Sequence, residues 1–306
     1  QAGVARARRE GPDRLAQFPV LRLDAGRRAE PLRSTRDMTA ALQASALRHG
    51  SPALARVAAG GLCAGCGACA ALAPGRVTMA MAEPGWLRPR VAAAPEPAEE
   101  AAIAAVCPGL GQRVDAAGRR TSPLWGPYLT MAAGHAADPV LRHAGASGGV
   151  LTALCAHLLA AGEVEAVVAT APDPADPPGN APCGATDRTG LLAAAGSRYA
   201  PSAPLADLPA RLAEHRAHGR RFAFVGKPCD AAALRAMAGR DPQVAAAFPV
   251  ILSFFCAGVP SRAGAAALLA ALGADPARVV ALRYRGQDWP GRAVATMDDA
   301  TTLSMG

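Results

Sequence analysis

The sequence predicts a mixed α/β protein (α/β, α+β overall) in two parts: a small hairpin-and-helix module, then an α/β domain with a mixed sheet flanked by helices. Two observations support this fold class. Three closely spaced cysteines precede two short strands and one helix in the first third of the chain. From about Trp125 onward, apolar strands alternate with apolar helices, which is typical of α/β domains. A composition of 51 % hydrophobic and 18 % charged residues excludes a wholly disordered chain.

The net charge of +8 is concentrated at the N-terminus. Between Gln1 and Arg36, nine arginines stand against four acidic residues, which gives +5 of that total. Phe18 is the only aromatic residue among these arginines, whereas proteins that bind single-stranded nucleic acid stack bases on several aromatic rings. Residues 1–57 are therefore predicted to be an Arg-rich N-terminal extension that is partly disordered, and no nucleic-acid partner is expected.

Hydropathy and cysteine usage limit the location and the chemistry. No apolar run reaches the roughly 18 residues that a membrane-spanning helix needs, so no membrane span is expected. The chain has eight cysteines and is far longer than disulfide-stapled miniproteins, and we expect no secretory signal. A cytoplasmic location with metal or redox chemistry at the cysteines is therefore predicted. Because the sequence starts at Gln1 without Met, we also expect it to be a fragment.

Cys63, Cys66 and Cys69 follow one another at two-residue intervals in the segment GLCAGCGAC. This spacing opens the bacterial ferredoxin motif C-x2-C-x2-C-x3-C-P, whose cysteines hold iron–sulfur clusters. Ala73 replaces the fourth cysteine, which in two-cluster ferredoxins binds the other cluster, so one cluster is predicted here. Cys107, which precedes a proline, supplies the remaining ligand. The predicted ligands of a [4Fe–4S] cluster are Cys63, Cys66, Cys69 and Cys107, with zinc as the alternative metal.

The residues between these ligands predict a strand pair and a helix. The strands are Arg76–Met81 and Trp86–Val91, joined by a Glu-Pro-Gly turn, and the helix covers Pro97–Val106. Such elements between the two halves of a ligand set are typical of a small ferredoxin-like iron–sulfur module. Residues 58–115 are assigned to this module.

Ser147, Gly148 and Gly149 precede a strongly apolar helix that is predicted to reach about Ala161. Glycine amides at a helix N-terminus form a plausible cradle for a phosphate group. The alternative is structural: Ser147 caps the helix and the glycines allow close packing. The residues alone leave both interpretations open. Further along, Pro177–Gly184 is predicted to be a loop.

Two predicted strands end close to a cysteine: Arg221–Gly226 is followed by Cys229, and Pro249–Phe255 by Cys256. Both thiols are therefore expected at the carboxyl edge of a sheet, where open α/β sheets bind ligands. The alternative is that each cysteine is a small buried apolar residue. Lys227 is either a contact for an anionic ligand or a solvated turn residue.

Several motifs together resemble a known family. The chain is similar to the coenzyme F420 hydrogenase/dehydrogenase beta-subunit family, in particular to multidomain bacterial members with a ferredoxin-like segment before the flavin domain. The motifs that carry this resemblance are GLCAGCGAC (61–69), VCPG (106–109), LWGPY (124–128), ASGGVLTAL (146–154), AAAGSRYAPS (193–202), FAFVGKPCDAAALR (222–235), FFCAGVPS (254–261) and YRGQDWPG (284–291). It implies an N-terminal family domain over residues 125–206 and a truncated C-terminal family domain over residues 207–306.

The resemblance implies FAD (or FMN) in addition to the [4Fe–4S] cluster. The flavin-binding positions that it implies are Ser147, Gly148, Gly149, Ala195, Gly196, Ser197, Arg198 and Tyr199, and Lys227 is a further candidate for cofactor binding. It also implies that Cys229 and Cys256 bind a [4Fe–4S] cluster beside the flavin. The other two ligands of that cluster normally come from a later Cys-x-x-Cys, which does not occur before Gly306. We therefore expect one cluster here and two in a longer protein.

The function implied by the resemblance is that of a flavin- and iron–sulfur-dependent oxidoreductase. It passes electrons between an organic hydride donor or acceptor (a coenzyme F420-like deazaflavin or a tetrapyrrole) and iron–sulfur clusters or a redox protein such as ferredoxin. No catalytic acid or base is assigned. The alternatives are a non-catalytic iron–sulfur electron-transfer subunit of a larger redox complex and a zinc-stabilised binding module.

Overall fold

A computed structural model of the chain describes residues 50–285 and 291–305. Most of the predicted Arg-rich extension therefore lies outside the described residues, as does the segment 286–290. All the described residues belong to one compact unit. None of its helices, within these ranges, has the length and apolar character needed to cross a bilayer.

The first part of the described chain contains three helices and a hairpin. The helices are α1 (Pro52–Ala59), α2 (Ala68–Leu72) and α3 (Pro97–Val106), and the antiparallel strands are β1 (Val77–Ala82) and β2 (Trp86–Val91). The hairpin and α3 confirm the elements predicted for this segment. The boundary predicted at residue 57 falls inside α1, whose residues Ala53 to Ala55 and Val57 are buried. Glu100 of α3 holds the start of α1, because its carboxylate accepts from the Ala53 amide and from the Ser51 hydroxyl.

A four-stranded mixed sheet forms the centre of the α/β part, as predicted. Its strands are β5 (Ala166–Asp173), β6 (Asp176–Ala185), β7 (Phe222–Gly226) and β8 (Val250–Ser253), in the order β6-β5-β7-β8. Strands β5, β7 and β8 are parallel, and β6 pairs antiparallel with β5. The prediction of a loop over Pro177–Gly184 is wrong, because these residues lie in β6. Its position at the sheet edge tolerates the prolines that led to the loop interpretation.

Helices and two minor strands surround this sheet. Before it come the strands β3 (Arg120–Ser122) and β4 (Gly126–Tyr128), followed by α4 (Pro139–Ala144), a 3-10 turn (Ser147–Gly149) and α5 (Val150–Ala160). Between the central strands come α6 (Arg188–Ala194), α7 (Leu208–His218), α8 (Pro228–Ala238) and α9 (Pro242–Ala247).

The two faces of the central sheet carry separate apolar cores, because side chains alternate along each strand. Val167 of β5 and Ala223 of β7 pack with Cys155 of α5 on one face. Phe222 and Phe224 of β7 lie on the other face, in a core that also contains Leu234 of α8. Three residues of the cysteine-rich part, Cys66, Ala68 and Val106, belong to this second core. The cysteine-rich part and the sheet therefore share one hydrophobic interior.

The last described elements are a helix and a separate three-stranded sheet. Helix α10 (Arg262–Leu272) packs with the antiparallel strands β9 (Val279–Arg283), β10 (Ala293–Met297) and β11 (Thr302–Met305), ordered β11-β10-β9. The hairpin of β1 and β2 contacts the start of α10 directly. The carbonyls of Gly85 and Pro84 accept from the Arg262 and Ala263 amides at 2.9 and 3.2 Å. These bonds satisfy backbone donors that the first turn of a helix leaves without intrahelical partners.

Gly85 allows this contact, so its replacement tests the docking of the hairpin. A β-carbon at Gly85, where φ is +112°, would lie only 2.7 Å from the Arg262 backbone nitrogen. We expect Gly85→Ala to lower the free energy of unfolding by about 3 kcal/mol, since it adds both a clash and backbone strain. The measurement is urea denaturation of the purified chain. The control is Gly75→Ala, where φ is +77° but no atom lies within 4 Å, and which should cost about 1 kcal/mol. Equal losses in the two variants would contradict the docking argument.

Candidate functional site

The four cysteines predicted to bind a cluster lie around one pocket. Cys63 and Cys66 are in the loop between α1 and α2, Cys69 is in α2, and Cys107 ends α3. The rest of the lining is almost entirely apolar: Leu54, Val57, Ala64, Gly65, Gly67, Ala68, Met79, Pro89, Ile103, Val106 and Pro108. Helix α1, which sequence reasoning missed, contributes Leu54 and Val57 to this wall.

The loop that carries Cys66 is fixed against the segment before α7. The Leu205 amide donates to the Cys66 carbonyl at 3.0 Å. Gly67 has a φ of +88°, and a β-carbon there would lie 2.7 Å from the Ala206 nitrogen. Only glycine fits this close approach of the loop to the segment before α7.

Burial favours the protonated, neutral form of three of these four thiols. It raises the pKa of the Cys66 thiol to about 12 and also raises the pKa of Cys69 and Cys107. For each of the three, a smaller part of the increase in pKa comes from other cysteines of the set, so the sulfurs lie within electrostatic reach of one another. A metal must therefore displace protons from these thiols when it binds.

The donor set fits an iron–sulfur cluster. Four cysteine thiolates are the usual ligands of a [4Fe–4S] cluster. Within the described ranges, no three His, Cys, Asp or Glu side chains form a group that could hold one metal ion. The four cysteines line one pocket, so the chemistry of this donor set is that of a cluster ligand set.

A buried ion pair lies between this pocket and the edge of the central sheet. Lys227 and Asp230 are only 9 % and 1 % exposed, and the Lys227 ammonium donates to the Asp230 carboxylate at 2.7 Å. The same carboxylate accepts from the Lys227 amide at 3.0 Å and so caps α8. Burial raises the pKa of Asp230, while the ammonium opposes that increase. The predicted cofactor residue Lys227 is thus bound to a partner within the protein.

Asp230 is a site residue that sequence reasoning missed. Its charge raises the pKa of Cys66, and its Oδ1 lies 3.9 Å from the Cys229 sulfur. The signal in the sequence was an acidic residue in the first turn of a helix that begins Lys-Pro-Cys-Asp.

Cys229 and Cys256 follow neighbouring parallel strands, with Gly226 of β7 opposite Ser253 of β8. Both thiols therefore lie beyond the carboxyl edge of the sheet, which confirms that part of the prediction. Cys229 is partly buried in the first turn of α8. Cys256 is exposed, and its sulfur accepts from the Gly258 amide at 3.4 Å.

The predicted phosphate cradle adopts an irregular turn. Ser147, Gly148 and Gly149 all have positive φ values, of 50°, 73° and 69°. Ser147 does not cap α5, because the N-cap residue is Gly149 and no side chain bonds there. Gly149 packs closely, since a β-carbon would lie 2.9 Å from the Arg142 Cα.

Arg283 of β9 lies between Ala144, just before the first stretch predicted to bind flavin, and the second such stretch. Its Nη2 donates to the Ala144 carbonyl, just before the 3-10 turn, at 2.9 Å. The same nitrogen lies 3.7 Å from the β-carbon position of Gly196, in the second stretch. The structure thus brings the segments 144–149 and 195–199 together at the end of β9.

Arg198 donates to neutral acceptors within the protein. Its guanidinium donates to Asn180 Oδ1 at 2.9 Å and to the carbonyls of Leu282 and Gly179 at 3.2 and 3.1 Å. It therefore links β6 to β9. Beside it, the rings of Tyr199 and Tyr284 pack edge to face with centroids 5.4 Å apart. Ala195 and Ser197 lie in the same stretch between α6 and α7.

Two models of one protein family match the chain. Residues 131–208 match the N-terminal part of the coenzyme F420 hydrogenase/dehydrogenase beta subunit, and residues 219–305 match its C-terminal part. Together they cover just over half of the chain. The chain belongs to this family. Membership in the coenzyme F420 hydrogenase/dehydrogenase beta-subunit family implies a general oxidoreductase role in electron transfer.

The chain also matches a solved structure. It is the xenon-derivatised F420-reducing [NiFe] hydrogenase complex from Methanosarcina barkeri, with 18 % identity and a TM-score of 0.43. The match covers 56 % of this chain and 58 % of the other. No curated protein sequence matches the chain.

Removal of Asp230 tests the energetic role of the buried pair. We expect Asp230→Ala to lower the free energy of unfolding by about 3 kcal/mol, because it leaves the Lys227 ammonium buried without its partner. The double variant Lys227→Met/Asp230→Ala should lose less than the sum of the two single variants. Urea denaturation measures all three.

The matched control is Asp207→Ala, which breaks a surface pair with Arg211 at the start of α7. It should cost at most about 1 kcal/mol. Additive losses at Lys227 and Asp230 would show that the two side chains are not coupled.

Proposed function

We propose that this protein is a flavin- and iron–sulfur-dependent oxidoreductase. In this proposal it exchanges electrons between an organic hydride carrier, a coenzyme F420-like deazaflavin or a tetrapyrrole, and a redox protein such as ferredoxin. Family membership supports the general redox role. The observation that carries the finer proposal is the convergence of four cysteines on one pocket.

The residues of the chain have separate tasks in this proposal. Cys63, Cys66, Cys69 and Cys107 would hold one [4Fe–4S] cluster, and the segments 147–149 and 195–199 would hold FAD or FMN. When bound, the flavin accepts or donates a hydride and the cluster carries single electrons. The wall of the pocket around the sulfurs is apolar, and burial of an iron–sulfur cluster is one of the factors that set its potential.

Cys229 and Cys256 are proposed as two ligands of a second cluster. Both cysteines lie beyond the ends of adjacent parallel strands, and this position supports the assignment. Asp230 of the Lys227–Asp230 pair lies next to Cys229 at the same edge of the sheet. The remaining two ligands would come from another segment or chain. A cytoplasmic location and the absence of a nucleic-acid partner stay predictions.

Cofactor content after anaerobic purification tests the function. We expect a brown protein with about four iron and four sulfide per cluster and with flavin absorbance. The measurements are iron and acid-labile sulfide assays and extraction of the flavin for chromatography. A cluster without any flavin, and without turnover of deazaflavin or tetrapyrrole, would replace the proposal with a non-catalytic electron-transfer subunit. Zinc without sulfide would instead indicate a zinc-stabilised module.

The ligand set is tested by Cys107→Ser. Because Cys107 is the only ligand outside the loop and α2, its loss should remove most of the iron of this cluster and its paramagnetic signal after reduction. Cys183→Ser is the matched control, since Cys183 lies in β6 and does not line the pocket. An unchanged iron content in Cys107→Ser would reject this set of ligands.

A further inference from the structure

Strand β2 lies directly against the loop that carries Cys63 and Cys66. Gly65 stands between these two cysteines, is buried and lines the pocket. A β-carbon at Gly65 would lie 3.1 Å from the Leu87 carbonyl oxygen and 3.8 Å from Nη1 of Arg88. The Arg88 guanidinium therefore lies beside the backbone of the cysteine loop.

Two contacts hold the Arg88 guanidinium in this position. Its Nη1 donates to the Leu87 carbonyl at 3.0 Å, and its central carbon lies 5.3 Å from the centroid of the Trp86 ring, which is a cation–π contact. Trp86 is itself fixed, because its indole N–H donates to the Val259 carbonyl at 3.0 Å. Arg88 is partly buried as a result, whereas Arg90, two residues further along β2, is exposed.

A cation at this position would affect a cluster that the four cysteines hold. Net charge is one of the factors that set the reduction potential of an iron–sulfur cluster. Reduction adds an electron to a group that its thiolate ligands already make anionic, so a neighbouring positive charge stabilises the reduced form. The Asp230 carboxylate acts on Cys66 with the opposite sign, but the Lys227 ammonium lies 2.7 Å from that carboxylate and offsets its charge.

We propose that Arg88 raises the reduction potential of the [4Fe–4S] cluster proposed for the four-cysteine pocket, and that Trp86 is a positioning residue that holds the guanidinium beside the cysteine loop. This inference rests on the proposed function, in which the cluster carries single electrons. A higher potential makes the cluster a better acceptor for these electrons.

Redox titration of the anaerobically purified chain tests this role, with the paramagnetic signal of the reduced cluster as the readout. We expect Arg88→Gln to lower the ratio of reduced to oxidised cluster at a fixed potential by about tenfold, which is about 59 mV for one electron. Arg90→Gln is the matched control: it removes the same charge from an exposed position that solvent screens, and it should change the ratio by less than about twofold. Equal potentials in the two variants would overturn the inference.

A charge added across the hairpin separates electrostatics from packing. Ala80 of β1 pairs with Arg88, and Thr78 pairs with Arg90. Side chains at paired positions of antiparallel strands lie about 5 Å apart, so Ala80→Glu brings a carboxylate to Arg88 without removing it. This variant should lower the potential, whereas Thr78→Glu should leave it unchanged. The pair also decides the question if Arg88→Gln binds no iron, because equal potentials in Ala80→Glu and Thr78→Glu would reject the role of Arg88.

Two further variants test how the charge is placed. Arg88→Lys keeps the charge and should keep the potential nearer to that of the parent chain. Trp86→Phe loses the hydrogen bond to Val259 but retains an aromatic ring, so it should lower the potential by less than Arg88→Gln does. Lower melting temperatures at an unchanged potential in all these variants would indicate a purely structural role and reject the proposal.

The cofactor content separates this inference from the proposed function. A potential that depends on Arg88 in a chain that binds no flavin would keep the inference and reject the flavin-dependent function. A flavoprotein with a cluster whose potential does not depend on Arg88 would reject the inference alone. Zinc without sulfide would reject both.

Discussion

The packing of the cysteine loop on the central sheet is the constraint on which the rest of the structure depends. Cys66 is 8 % exposed and shares an apolar core with Phe222 and Phe224, and the Leu205 amide holds its carbonyl. Movement of the loop would therefore expose part of that core to water, at about 25 cal/mol for each Å² of apolar surface. The pocket thus keeps a fixed position relative to the strand ends, which a relay of electrons requires.

The Lys227–Asp230 pair lies between the cysteine loop, which packs on the central sheet, and the second pair of cysteines, Cys229 and Cys256. A buried ion pair is weak evidence for stability, because desolvation of both charges offsets their attraction. Its position is more informative: the carboxylate caps α8 and lies beside Cys229, while its charge also acts on Cys66. The Lys227 ammonium balances the negative charge of Asp230 next to cysteine thiols that would become anionic when they bind a metal. The pair orders the turn after β7 and limits the negative charge between the two proposed metal sites.

Local signals in the sequence predicted the elements that depend on neighbouring residues. The Glu-Pro-Gly turn located the hairpin, and the proline that begins α3 located that helix, each within one residue. The cysteine spacing likewise predicted which four thiols line one pocket. Features that depend on distant residues were not predicted. Glu100 of α3 holds the start of helix α1, β6 is a strand because β5 pairs with it, and Arg283 bonds to Ala144 across a sequence separation of 139 residues.

The same distant contacts explain why a flavin site would need both halves of the family sequence. The segments 144–149 and 195–199 lie in the N-terminal half, whereas Arg283 and Arg285 come from the C-terminal half. Arg198 joins these halves through carbonyls on β6 and β9, and Tyr199 packs on Tyr284 beside it. Ligand sites commonly form at such junctions, because each side supplies some of the polar groups that converge there. The N-terminal half alone would keep the irregular turn at 147–149 but would lose the hydrogen bond that Arg283 donates to the Ala144 carbonyl.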